Sequence, residues 1–418
     1  MAKAPDESLF FLATRSWFWL LCIDVYPALI AASIPWSTTA VVVFVIIWFI
    51  VLAPTIEPRS FLSSLQHPAS LLPTALFALA VIGMLWADGP WADRLRGLGP
   101  VVKLLAIPFF LYHFQRSRRG HWVFISFLAS CALLLVVSWI IFFVPQWQVS
   151  SSHGFYNAGV PVRNVIDQNQ EFALCVFALA SLSLHLVKKQ MLPLAVSALA
   201  LALTFFFNIM FVALSRTSLV YVLALIMLFA SRHFGRRATL LLLAGTVLMT
   251  GLVWFASPYL RGRFENVSIE YKEYRETNRP TSTGQRISYW TKSLEWIGEA
   301  PLIGHGTGST KLLFEKEAVG KIGAWADSVS NPHNQTLYVA IQWGLLGCLV
   351  LFAMWFAHSA MFASRGLITW IGAVVVTQNI LSSLLNSHLF DFHEGWIYVV
   401  GVGVAGGMLH NESRRVQP

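Results

Sequence analysis

The sequence predicts an all-α polytopic membrane protein with about twelve transmembrane helices and one long, partly helical outer loop. Three observations predict it. Of 418 residues, 56% are hydrophobic and only 12% charged, against roughly 25% charged in soluble domains. Apolar runs near the length that crosses a ~30 Å hydrocarbon core recur along the chain. Lys and Arg gather on alternate connections between those runs, as the positive-inside rule requires.

The runs fall at about 17–33, 38–53, 70–86, 98–114, 122–144, 171–187, 191–213, 217–231, 238–256, 334–357, 366–385 and 394–410. The first is read as a retained helix, because Asp24 and Pro27 interrupt it and further runs follow. With the N-terminus inside, fourteen basic residues lie on cytoplasmic stretches, among them Arg116, Arg118, Arg119, Arg232, Arg236 and Arg237. The short connections of the opposite face hold Arg94, Arg96, Arg163 and Arg216. Both termini are therefore expected in the cytoplasm. The formal charge of +9 then reports topology, and no nucleic-acid partner is expected. Cys22, Cys131, Cys175 and Cys348 all lie within apolar runs with no zinc-site spacing, so they read as small buried hydrophobes without disulfides.

Three regions follow: helices one to nine over 1–256, a long polar loop over 257–332, and the last three helices with a short cytoplasmic tail over 333–418. Loops longer than about 15 residues are usually functional or disordered. This one reads as ordered, since Tyr289, Trp290, Ser293, Leu294 and Ile297 alternate with polar positions at helical spacing. A second outer loop, about 145–170, is rich in Gly, Asn and Ser. No internal repeat is visible.

Residues 331–347 read NPHNQTLYVAIQWGLLG. Asn331 is a good N-cap and Pro332 suits the first helical position, which places His333 in the first turn of the tenth helix. A positive helix end favours the neutral imidazole over the imidazolium and attracts anions. An interfacial anchor is the alternative reading. Asn334, Tyr338 and Gln342 follow on one face, and Gly344 with Gly347 permits close helix contact.

Arg216, in FVALSRTSLV, interrupts an apolar run between Lys189 and Arg232 near the outer turn, about level with His333. A guanidinium there is costly and by default functional; a snorkelling side chain is the alternative. Arg286 opens the amphipathic stretch of the long loop, where its planar fork suits phosphate oxygens and where solvation is the competing reading. PLIGHGTGS, residues 301–309, offers glycines for a tight turn whose amides could meet an anion, but it follows no strand, which argues against a nucleotide fold. HLFDFHEGW, residues 388–396, groups Asp391, His393 and Glu394. Their chemistry is that of metal ligands, yet three near neighbours do not by themselves converge on one ion, so a supporting role is expected. Asp24 is expected to pair with a neighbouring polar group.

His333-Asn334, then nine intervening residues, then Gly344, Leu345, Leu346 and Gly347, resembles the signature of bacterial O-antigen ligases and protein O-oligosaccharyltransferases of the O-antigen ligase/polymerase superfamily. The twelve runs, the long loop before the histidine helix, the P-L-I-G-x-G-x-G turn and arginines placed like Arg216 and Arg286 extend the likeness. The resemblance implies a multi-pass transferase of the bacterial inner membrane with its site facing the periplasm. It would move O-antigen polysaccharide from undecaprenyl diphosphate to a sugar hydroxyl of lipid A-core oligosaccharide, in lipopolysaccharide biosynthesis. Its partners would be that donor, that acceptor and membrane lipid. His333 would be the general base, and Arg216 and Arg286 would hold the diphosphate, with Arg163 a further candidate for the same anion. Asn334, Tyr338 and Asp391 would support them, in a direct, inverting displacement without metal or cofactor.

Other readings remain open. An O-antigen polymerase extends the same lipid-linked glycan. A protein O-oligosaccharyltransferase tends to carry a soluble domain after its last helix, where about eight residues follow here. A twelve-helix secondary transporter would place its charges near mid-membrane at a repeat interface, whereas His333, Arg216 and Arg286 map to the outer boundary. A metal-dependent membrane glycosyltransferase would carry acids in the first outer loop, which here is about IPWS.

Overall fold

The computed structural model describes residues 16–147, 159–162, 164–213, 215–256 and 258–416. Helices occupy every apolar run, and no strand occurs among the described residues. In chain order these are α1 (Trp17–Ser33), α2 (Thr38–Leu52), α3 (Pro58–Leu65), α4 (Pro68–Ile82), α5 (Trp91–Val102), α6 (Ala106–Phe114) and α7 (Gly120–Phe143). Then come α8 (Val165–Lys188), α9 (Leu192–Phe207), α10 (Arg216–His233) and α11 (Arg236–Ala256). The long loop forms α12 (Pro258–Thr277), α13 (Ser282–Glu299) and α14 (Ser309–Ala318), before α15 (Gln335–Met361), α16 (Leu367–Ser382) and α17 (Phe392–Val416).

Among the described residues, seven helical stretches are long and apolar enough to cross a membrane, and Trp17–Ser33, Thr217–His233 and Leu367–Ser382 are apolar but shorter. In the second helix only 17% of the Thr38–Thr55 stretch is buried inside the protein. Such a surface is stable only against lipid, since soluble proteins rarely expose apolar patches of that size. The chain is thus an integral membrane protein. Its core gathers Trp48, Phe110, Phe172, Trp343, Trp370 and Tyr398 from helices far apart in sequence.

Three local departures from regular helix shape one end of the bundle. Pro108 has no N–H for the Leu104 carbonyl, and the α5–α6 run tightens into a 3₁₀ turn at Lys103–Leu105. From that turn the buried Lys103 Nζ donates to the carbonyls of Phe390, at 2.8 Å, and Asp391. A π-helical turn, Asn208–Val212, ends α9, and Asn208 Nδ2 donates to Ser138 Oγ of α7 at 2.9 Å. Finally, α15 breaks at Gly344, which adopts φ 58° and ψ −152°.

The break receives the glycine turn of the long loop. His305 N–H donates to the Ile341 carbonyl and Gly306 N–H to the Gln342 carbonyl, each at 2.8 Å, while Leu345 N–H donates to the Pro301 carbonyl at 2.8 Å. Gly308 N–H meets Gln342 Oε1, also at 2.8 Å. A side chain at Gly308 would collide with the Asp93 carbonyl, and one at Gly344 with the Leu302 backbone. Amides of the turn therefore close the helix break, and those that sequence suggested for an anion are taken by the protein itself: His305, Gly306 and Gly308 by α15, Thr307 by the Gly83 carbonyl and Gly304 by the Ala300 carbonyl.

Candidate active site

The segment before α15 departs from the expected start in an informative way. Asn331 does not cap the helix. Its Oδ1 instead accepts from His333 N–H at 2.8 Å, an Asx turn, and from Ser387 Oγ at 2.7 Å. Asn334 takes over as N-cap, its side chain accepting from Leu337 N–H at 3.0 Å. His333 therefore lies just outside the helix rather than in its first turn, at φ 55°. This left-handed conformation is uncommon for a residue other than glycine, and such strain clusters at functional sites. It persists because 331–335 is tied to the connection between α16 and α17: Asn334 Nδ2 donates to the Leu384 carbonyl at 2.9 Å, and Gln335 N–H to the Ser383 carbonyl at 3.0 Å.

His333 is half-buried, with Nδ1 3.1 Å from Asn386 Oδ1. With that oxygen as acceptor, Nδ1 carries the proton and Nε2 offers its lone pair; no hydrogen bond to Nε2 occurs among the described residues. The same Asn386 amide bridges to a second ring, its Nδ2 lying 3.0 Å from Nε2 of the buried His388. Gln170 Nε2 lies 3.0 Å from His388 Nδ1, and Gln378 Nε2 donates to the Gln170 carbonyl at 2.8 Å. Four helix ends are thereby linked to one imidazole.

From the loop side, α13 covers the histidine. Tyr289 stacks beside the ring, with centroids 6.1 Å apart and planes at 29°, and Trp290 Nε1 donates to the Pro332 carbonyl at 3.2 Å. Arg286 shares that face at helical spacing. Burial, then the neighbouring Arg286 guanidinium, holds the His333 imidazole below its ordinary pKa of 6.5, the Asn386 hydrogen bond opposing them. The ring is consequently neutral at neutral pH, with the Arg286 charge in its neighbourhood. Burial pushes His388 lower still, to about 3, so the second ring stays neutral.

The remaining sequence candidates divide. Arg216 is the first residue of α10, whose capping box pairs Ser215 with Ser218; its side chain lies outside the described residues. The anchor of that helix start is Asn169, whose Nδ2 donates to Ser215 Oγ at 3.2 Å, one residue from Gln170 and so next to the amide chain leading to His333. Arg163 lies outside the described residues. Tyr338 is buried with its ring 5.5 Å from that of Phe390, and Gln342 is bonded to the glycine turn. Asp391 Oδ1 accepts from Asn331 Nδ2 at 3.2 Å, and burial raises its carboxyl above the ordinary range. Its neighbours turn to Asp167 instead: His393 Nδ1 lies 3.2 Å from Asp167 Oδ2, and Glu394 hydrogen-bonds the same carboxylate, its Oε1 3.9 Å from His388 Nε2.

Gln170, Gln378, Asn386 and His388 were not singled out in the sequence. The polar run Asp167 to Glu171 looks like loop, yet α8 begins at Val165, capped by Asn164, and the whole run is buried. The available signal was Gln378 and Asn379 inside an apolar run, since polar groups there face the protein interior.

A neutral histidine, an arginine and a buried amide chain thus lie together at one end of an apolar, membrane-embedded helical bundle. Residues 199–352 match the family described as O-Antigen ligase. The matched stretch runs from α9 through the long loop into α15 and contains Arg216, Arg286 and His333. The match supports membership of the O-antigen ligase superfamily, whose members are glycosyltransferase-like ligases and polymerases. An uncharacterized protein of Haemophilus influenzae is 28% identical over 130 residues, covering 30% of this chain and 33% of the relative. The chain thus aligns with about a third of that relative's length.

Proposed function

We propose that the protein is a glycosyltransferase of the ligase type, moving O-antigen polysaccharide from undecaprenyl diphosphate to a sugar hydroxyl of lipid A-core oligosaccharide at the periplasmic face of the inner membrane. The observation that carries the reading is the pairing of His333 with Arg286 within the matched stretch: a neutral base whose Nε2 is uncommitted, beside a cation suited to a diphosphate.

In the proposed step, His333 Nε2 takes the proton from the acceptor hydroxyl as its oxygen attacks the anomeric carbon of the donor sugar. The bond from that carbon to the diphosphate oxygen breaks, and the leaving undecaprenyl diphosphate keeps the electron pair. Arg286, with Arg216 from the start of α10, stabilises the charge that develops there. Asn386 holds the imidazole in the required tautomer. Attack from the face opposite the leaving group inverts the anomeric centre. Arg163 is a further candidate for the diphosphate; Asn334, Tyr338 and Asp391 support the frame rather than the chemistry.

The test is reconstitution of purified protein with undecaprenyl-diphosphate-linked glycan and rough lipopolysaccharide. A size-shifted lipopolysaccharide is expected. Elongation of the lipid-linked donor with no product on lipopolysaccharide would replace the ligase reading by the polymerase.

A further inference from the structure

A cavity of about 540 Å³ opens at the end of the bundle opposite His333, a size typical of small-molecule sites. Its position is set by α17, which starts beside the candidate active site and ends here, where Asn411 Nδ2 donates to the Ser117 carbonyl at 3.0 Å. One wall is aliphatic, from Leu20, Ile23 and Leu52; the other carries Arg116, Arg118 and Arg119.

The cavity's one carboxylate is already matched. Asp24 Oδ1 lies 2.8 Å from His113 Nε2 and accepts from Ser117 Oγ at 2.6 Å, while Oδ2 accepts from Arg119 at 3.1 Å. Arg116 is fixed in plane by the Tyr112 ring, 3.8 Å from its guanidinium, and donates to the Tyr112 carbonyl at 2.9 Å and to Ser60 Oγ. Those bonds leave further N–H donors of its fork uncommitted. Arg118 is exposed and makes no hydrogen bond or ion pair among the described residues. Three guanidinium groups against one carboxylate leave a concave surface with an excess of positive charge. Guanidinium forks suit phosphate oxygens, and an aliphatic wall whose Leu20 is itself exposed on α1 suits an acyl chain.

We propose that this cavity binds the phosphate headgroup of an anionic phospholipid of the phosphatidylglycerol class, with its acyl chains running along α1. The phosphate chemistry alone would also admit a free phosphate; the aliphatic wall favours the lipid. Basic pockets between helices are a recognised mode of lipid headgroup capture. The proposal is independent of the transfer reaction, since it concerns the opposite end of the molecule.

The experiment is a thermal-unfolding titration of the full-length protein in detergent with phosphatidylglycerol, phosphatidylcholine or inorganic phosphate, with retained lipid counted by native mass spectrometry. Phosphatidylglycerol is expected to raise Tm saturably, and the other two are not. Arg116→Gln with Arg118→Gln should weaken the apparent affinity roughly 30-fold, two basic residues' share of such attraction. The charge-matched Arg59→Gln with Arg365→Gln, exposed and outside the cavity lining, should leave it unchanged. Should the double variant start with a lowered Tm, Arg118→Gln alone, which removes no internal bond, should still weaken binding. Equal weakening by both pairs would overturn the proposal in favour of diffuse surface charge. Equal stabilisation by phosphatidylcholine would reduce the cavity to an apolar groove, and stabilisation by millimolar inorganic phosphate would assign it to a soluble anion.

Discussion

The two ends of α15 each involve a histidine, and the two rings differ in how many of their nitrogens the protein commits. At the C-terminal end His358 is fully buried, with Nδ1 2.6 Å from Tyr398 Oη and Nε2 3.0 Å from the Ala69 carbonyl. Both nitrogens are committed, and the ring fastens α15 to α4 and α17. Just before its N-terminal end, His333 commits Nδ1 alone, stands in a left-handed conformation and has the Arg286 charge in its neighbourhood. The same kind of side chain serves packing within α15, where both nitrogens are satisfied, and keeps one nitrogen uncommitted just before it.

The largest test of that contrast is alanine at each position. His333→Ala should lower glycan transfer by about 10²–10⁴-fold, the usual cost of losing a general base, with Tm nearly unchanged. His358→Ala should do the reverse, costing about 1–3 kcal/mol of stability through partners left unsatisfied while sparing turnover per folded molecule. Transfer by His333→Ala at the wild-type rate would remove this residue from the mechanism.

Next in size is the arginine pair. Arg216→Lys keeps the charge but loses the two-pronged geometry, and a loss of about 10²–10³-fold is expected, as for removal of one donor to a developing anion. Full activity with lysine would make Arg216 a simple interface charge.

A smaller effect concerns pH. Because His333 is held below 6.5, its neutral form persists to more acid solution, so the acid limb of transfer should fall below pH 6.5. Arg286→Gln removes a neighbouring positive charge and should move that limb upward, besides lowering the plateau. A limb unmoved by this substitution would mean that the titrating group is not His333.

The smallest expected effect is none: a strong chelator should leave transfer intact, because Arg216 and Arg286 supply the charge that a departing diphosphate needs. The measurement compares chelator alone with chelator plus excess magnesium, manganese or calcium, using a short soluble acceptor, since lipopolysaccharide itself binds divalent ions. Activity lost and then restored by metal would shift attention to Asp391 and Glu394.

Much of the frame was legible in the sequence because apolar length is a local property. The runs at 122–144 and 191–213 became α7 and α9 within a few residues of their expected bounds, and α13 was visible in the spacing of Tyr289, Trp290 and Ser293. His333 stood out by its place at a helix mouth. Its exact position did not, because Asn331 and Asn334 are equally good caps, and the choice was made by Ser387 and Asp391, more than fifty residues away. The amide chain from Gln378 through Gln170, His388 and Asn386 was hidden for the same reason: its members pair only across helices.

The glycine turn that closes the break in α15 also reaches back to α4, where Thr307 bonds the Ala80 carbonyl across 227 residues. During synthesis at about 5–20 residues per second, the outer end of α4 would wait roughly 10–50 s for that partner to emerge. Throughout that interval the end of α4 has only its early neighbours for company. Assembly of this membrane protein is therefore finished by a late arrival, and a chain stalled before the long loop would carry the helices from α1 to α11 while lacking the clasp that joins the first third to the last.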